Sequence, residues 1–276
     1  MIPQIYFDKR NLYKGTVFFI SSSTNTWDVF KLVSPSFFHA ALDCSLPIFV
    51  GSNHYEEIEG ADVITFAKKC GWRIELANQI AMLPKTVERV ILILDDFYFF
   101  DKFNEIKLRE AIDMHDSSNM DYLRCEPPRR SLVGRALMFF KFRNHPVIHL
   151  TNSEPYYSSL QVAIWSRNHL QKMLSMDGNI WEFEWKVIPG SSHYAVKRNL
   201  FAYQHLVEKG KWLPESIYHI GSLNNLNAMT KRGYHLIPFF RKNIFTVIKF
   251  SIFGYSLMKT KNFYKKHFHS STNKFS

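Results

Sequence analysis

Apolar residues along the chain fall into short runs separated by polar stretches, and the runs differ in kind. TVFFIS (16–21) and VILIL (90–94) are apolar without alternation, as in strands covered on both faces. PIFVGSN (47–53) is a shorter run that ends in small polar residues. Between them the period changes. Residues 73–83 place Leu76, Ala77, Ile80, Ala81 and Leu83 on one face, opposite Glu75, Asn78 and Gln79, so they predict a core-packing helix that Pro84 helps to end. Asp28 to Leu42 predicts a helix broken near Pro35. Further elements follow less regularly. There is an amphipathic helix over 104–116, strands over 120–126, 146–152 and 159–165, and a short helix over 167–174. WEFEW (181–185) alternates aromatic and acidic residues with period two, which an extended segment would sort onto two faces; a helix would make its two glutamates diverge.

Strand, helix, strand, helix, strand predicts an α/β fold with a mainly parallel sheet. In such sheets ligands sit beyond the carboxyl ends of the strands, where strand order reverses. VILIL runs straight into Asp95 and Asp96, so two adjacent carboxylates stand where a ligand is expected. Side by side, they suit a hard divalent cation, which takes oxygen ligands and can bind a diphosphate as it leaves. A strand-end turn or cap would use the same residues.

Composition narrows the class. With 46% hydrophobic and 21% charged residues the chain is globular and ordered. Its three cysteines are widely spaced and fit no zinc or redox pattern, which suggests a reducing compartment. The opening MIPQIYFDKR lacks the apolar run of a leader, so a cytoplasmic location is expected. No Walker-type P-loop, HExxH, GxSxG or kinase signature occurs.

The net charge of +11 would suggest nucleic acid, but its distribution does not. Residues 216–276 carry ten Lys or Arg and no acidic residue, leaving 25 basic against 24 acidic residues, or +1, in 1–215. Basic residues flank apolar ones in RKNIFTVIKFSIFGYSLMKTKNFYKK (241–266), a composition suited to an anionic membrane surface. At about 1 kcal/mol per basic residue, half of the ten would contribute roughly 5 kcal/mol. No nucleic-acid partner is expected.

Particular motifs carry a family resemblance over residues 14–215. The polar loop before Trp27-Asp28, PIFVGSN, GWRIELANQIAML, ILILDDFYF, SLQVAIWSRNHLQKML and NIWEFEW resemble the GT-A-like glycosyltransferases of bacterial capsule and lipopolysaccharide biosynthesis clusters. The resemblance implies a GT-A-like sheet flanked by helices and a basic C-terminal membrane-associating tail. It divides the chain into a nucleotide-sugar-binding half (1–97), an acceptor-binding half (98–215) and the tail (216–276). It implies transfer from a nucleotide-sugar donor to a glycan or lipid-linked acceptor, on the inner membrane face, with Mg²⁺ or Mn²⁺. Asp95 and Asp96 would take the metal and diphosphate, Ser21, Ser22 and Ser23 would line the donor site, and Glu182 or Glu184 would be the base. The family often has an aspartate directly after its first strand; here Asp28 comes several residues later. Arg129, Arg130 and Arg135 are further diphosphate candidates. Trp165 reads as core, and His193 as a surface histidine, a late metal ligand or a phosphate contact. The alternatives are a nucleotidyltransferase of sugar activation and a non-catalytic membrane-bound assembly partner.

Overall fold

A computed structural model describes residues 12–68, 70–128, 146–152, 154, 156–208, 210–213, 216–220 and 232–233. The described residues, save Pro128 and Pro146, belong to one compact unit. Its strands are β1 (Thr16–Ser21), β2 (Ile48–Ser52), β3 (Asp62–Thr65), β4 (Arg89–Leu94), β5 (Phe97–Phe99), β6 (Tyr122–Arg124), β7 (Val147–His149), β8 (Ala163–Ser166), β9 (His193–Val196), β10 (Tyr203–His205), β11 (Val207–Glu208) and β12 (Lys211–Trp212). Its helices are α1 (Trp27–Ala40), α2 (Trp72–Ala81), α3 (Glu105–Ser117), α4 (Arg167–Ser175), α5 (Ile180–Phe183) and α6 (Ser216–Ile220).

Eight strands form one mainly parallel sheet in the order β3-β2-β1-β4-β8-β6-β9-β7, flanked by helices. β1, β2, β3 and β4 run parallel, whereas β8 is antiparallel to both β4 and β6, and β7 is antiparallel to β9. The uniform apolar runs follow from coverage on both faces. On β1 and β4, Phe18, Ile20, Ile91 and Ile93 enter the core that contains Phe30 and Phe37 of α1 and Ile112 of α3. Their alternates Val17, Phe19, Val90 and Leu92 enter the core that contains Leu76 and Ile80 of α2 and Leu170 and Met173 of α4.

The helix over 28–42 is not broken at Pro35: α1 runs unbroken from Trp27 to Ala40. The packing of Val29, Phe30, Val33 and Phe37 outweighs the missing amide of proline. α3 and α4 begin at the expected places because Asn104 and Ser166 cap them, accepting from the main-chain N–H of Lys107 and His169. The expected helix over 73–83 is α2, and the carbonyls at and beyond its end are gathered by one side chain. Arg167 donates to the carbonyl oxygens of Ala81 (3.1 Å), Leu83 (2.9 Å), Pro84 (2.7 Å) and Val87 (3.2 Å). Gly51 of β2 marks a close approach. A Cβ there would stand 2.4 Å from Gln79 Oε1 and 2.5 Å from the Phe19 ring, so only glycine lets α2 sit this near the sheet.

Two expectations change. WEFEW is not extended. Asn179 caps a helical turn at Ile180–Phe183, accepting from the N–H groups of Trp181 and Glu182, while Glu182 accepts in return from the Asn179 N–H. This reciprocal cap overrides the period-two pattern. His193 is not a surface residue; it is fully buried on β9.

Candidate functional site

Strand order reverses between β1 and β4: the chain proceeds from β1 outward through β2 to β3, then returns to the other side of β1. The carboxyl ends of these two strands are in register, Ser21 beside Leu94. The loops that leave them therefore meet, and this crevice is where α/β sheets hold ligands. Ser22 donates from its hydroxyl to Asp95 Oδ2 at 2.7 Å. Ser23 and Thr26 share a hydroxyl contact of 3.0 Å, while the Thr24 N–H donates to Asn53 Oδ1 at 3.2 Å and fastens the same loop to the end of β2.

Asp95 and Asp96 are both half-buried. Burial pushes the Asp95 carboxyl up to about 6, against the hydrogen bonds from Thr26 and Ser22 and the charge of Arg232. Asp96 is pushed further, to about 8, by burial and then by the neighbouring Asp95 charge. Asp96 Oδ1 is buried without a hydrogen-bond partner among the described residues. The main chain beneath is fixed, since the Leu206 N–H donates to the Asp96 carbonyl at 2.9 Å and β10 pairs with β5. Two carboxylates on a rigid strand end, one with an orphaned oxygen, have the hard-donor chemistry a divalent cation requires. Among the described residues no group of three or more His, Cys, Asp or Glu is arranged to hold a metal.

The expected residues separate into two groups. Ser21, Ser22, Ser23, Asp95 and Asp96 come together at the crevice. Glu182 and Glu184 lie on and just after α5, whose Phe183 packs against Trp72 and Trp165. Glu182 is exposed and caps α5. Glu184 is buried, and its Oε1 accepts from the Leu160 N–H at 2.9 Å and from the Ser159 hydroxyl at 3.4 Å. Leu160 leads into β8, the neighbour of β4, so Glu184 stands at the same edge of the sheet as Asp95. Trp165 is fully buried core, as expected. His193 is not a surface residue: its Nε2 lies 2.8 Å from His169 Nε2 and its Nδ1 lies 3.2 Å from the Tyr157 carbonyl. Arg129, Arg130 and Arg135 lie outside the described residues.

Arg232 was not expected here. It belongs to the segment read as the tail, yet its guanidinium pairs with Asp28 at the start of α1 and its charge acts on Asp95. Ser216 and Ile220, also of that segment, are likewise buried, with Ile220 against Val29 and Val33 of α1. Residues 221–231 and 234–276 lie outside the described residues. No described helix is long and apolar enough to cross a membrane.

No protein-family model matches the chain, and no curated protein matches it in sequence. Among solved structures, residues 1–349 of S. aureus TarS in complex with UDP-GlcNAc are similar at a TM-score of 0.46 and 13% identity, over 74% of this chain and 64% of that one. A longer S. aureus TarS structure gives 0.45 and 11%, over 74% and 38%. A homologue, from Mycobacterium sp. strain JC1, of a Mycobacterium tuberculosis protein gives 0.43 and 11%, over 70% and 91%. The chain thus spans less than two thirds of the TarS structures it matches.

Proposed function

We propose that this chain is a glycosyltransferase that moves a sugar from a nucleotide-sugar donor to a lipid-linked or surface polysaccharide acceptor, as in the GT-A-like enzymes of capsule and lipopolysaccharide clusters that its motifs resemble. The observation that carries this reading is the meeting of Ser22 with the Asp95–Asp96 pair at the reversal of strand order, with Asp96 Oδ1 left unpartnered. Asp95 and Asp96 would hold Mg²⁺ or Mn²⁺, which when bound would neutralise charge on the departing diphosphate. Ser22 would hold the Asp95 carboxylate in place beside the crevice. Removal of the acceptor hydroxyl proton falls to Glu182 or Glu184. Glu182 is open to an acceptor as it stands, and Glu184 would serve only after releasing Leu160. The basic stretch of 241–266 would hold the enzyme against an anionic inner membrane face, near a lipid-linked acceptor.

The test is a thermal-melt panel of nucleotide-sugars and nucleoside diphosphates, UDP-GlcNAc among them, with and without Mn²⁺. A ligand at about a hundred times its dissociation constant adds about 2.7 kcal/mol, which moves the melt by several degrees. A metal-dependent shift names the donor; no shift with any ligand in folded protein sinks the reading. With the donor known, Asp96→Ala abolishes transfer and leaves the fold intact. Near-normal turnover in that variant would overturn the site assignment. Release of pyrophosphate in place of a nucleoside diphosphate would mark a nucleotidyltransferase instead.

A further inference from the structure

The proposed site gathers negative charge: Asp95, Asp96 and the diphosphate of the donor. Arg232 is the cation that acts on Asp95, and Asp95 in turn acts on Arg232. Its guanidinium is already engaged. Nε and one terminal nitrogen donate to the two carboxylate oxygens of Asp28, a forked pairing, and that nitrogen also reaches the Asn25 carbonyl. The two partners are unequally placed. The Arg232 side chain is only 16% exposed, whereas that of Asp28 is 45% exposed. The arginine is held in the site, and the carboxylate is the partner on the open side.

A guanidinium paired in this forked way with a carboxylate has the geometry that also suits phosphate. Arg presents parallel N–H groups that match phosphate as well as carboxylate, and a diphosphate brings more charge and more acceptor oxygens than one carboxylate. We propose that Arg232 grips the donor's diphosphate and that Asp28 is its stand-in partner, exchanged for the donor when it binds. This rests on the glycosyltransferase reading and adds to it a diphosphate ligand drawn from the C-terminal segment. Asp28, which comes several residues later than the family's usual first-loop aspartate, would hold the arginine until the donor takes it.

The test measures binding of inorganic pyrophosphate, with Mn²⁺, to the full chain by calorimetry. The same titration follows with the nucleotide-sugar that the melt panel identifies. Arg232→Gln weakens both by at least about tenfold, the loss of a charge-assisted pair. Arg232→Lys, which keeps charge but not the fork, falls between. Asp28→Asn removes the competitor and tightens both by about threefold or more. If Arg232→Gln binds as the wild type does, the diphosphate is held elsewhere and the proposal falls. If Asp28→Asn weakens binding as Arg232→Gln does, the pair is a tether of the C-terminal segment and the exchange is refuted. Should Arg232→Gln not fold, the opposite directions expected of Arg232→Lys and Asp28→Asn decide the matter. A wild-type chain that binds pyrophosphate through Arg232 but no nucleotide-sugar would leave this assignment standing and remove the glycosyltransferase reading. One that binds nucleotide-sugar without Arg232 would do the reverse.

Discussion

Replacing Asp96 by asparagine is expected to stabilise the metal-free protein, and increasingly so as pH rises. Burial and the Asp95 charge raise the folded-state Asp96 carboxyl from 3.8 to about 8. A carboxyl raised on folding binds its proton more tightly in the folded chain. Its contribution to stability is therefore complete below about pH 4 and is lost as pH climbs to about 8. The window from pH 7 to pH 8 isolates it. Asp95, at about 6, has already ionised in the folded state. The buried histidines His115, His169 and His193 are lowered by burial and neutral throughout, and the residual protons on their unfolded counterparts add the same small rise to wild type and variant. Cys125, also raised by burial, enters only above about pH 8.5. Because the folded value lies at the top of this window, the unscreened loss between pH 7 and 8 is about 1 kcal/mol; the carboxylates are half-buried, and solvent screening reduces it to about 0.5 kcal/mol. In a chain of this size that is about 1–2 °C in melting temperature. Melts in EDTA at pH 7.0, 7.5 and 8.0 should show the wild type falling by that amount relative to Asp96→Asn, which melts higher at pH 8. Parallel profiles, or a variant less stable than the wild type at pH 8, would refute the account of the site as strained by its own charge. A carboxylate that lowers stability where an amide would not fits a residue kept for chemistry.

Two further outcomes concern the scaffold. His115 is buried on α3 with neither ring nitrogen partnered among the described residues, and burial together with Arg89 lowers it to about 4. A base lowered on folding contributes stability above its unfolded value near 6.5 that is lost as pH falls toward 4, so His115→Leu should gain about 1–2 kcal/mol at pH 7.5 and more at pH 5, read by urea unfolding at both. Arg167→Ala should lose about 2–4 kcal/mol in the same assay at pH 7.5, because four main-chain carbonyls around the end of α2 lose their donor; a loss below about 0.5 kcal/mol would show that water replaces it.

Much of the fold was legible because its signals are local. The unalternating runs of β1 and β4 announce strands covered on both faces, and the position of Asp95 after one of them is enough to put it at the crevice. Asn104 and Ser166 begin their helices where a short polar residue precedes an apolar period. β3 escaped notice because four residues carry too little pattern, and the antiparallel sense of β8 because periodicity is blind to strand direction. WEFEW misled for a different reason: alternation of two kinds of residue was weighed, while Asn179 and Glu182, spaced for a reciprocal cap, were the stronger signal. His193 became a core residue because partners distant in sequence, His169 and the Tyr157 carbonyl, supply both of its ring nitrogens. Arg232 had no local signal at all. Counted by composition it belongs to a basic tail, and its partner Asp28 lies 204 positions away.

The place of β8 between β4 and β6 bears on how such a chain is made. During synthesis β4 leaves the ribosome long before Ala163–Ser166 exist, and Val90–Leu92 then border a sheet with nothing alongside. An uncovered apolar strand border is a template for pairing with other chains. A fragment ending at residue 97 would carry that border permanently and should associate with copies of itself, so residues 1–97 cannot be expected to stand apart. Whatever selects for Asp95 and Asp96 in the first half must also preserve AIWS in the second, because the strand that delivers the carboxylates is finished only when the later one arrives.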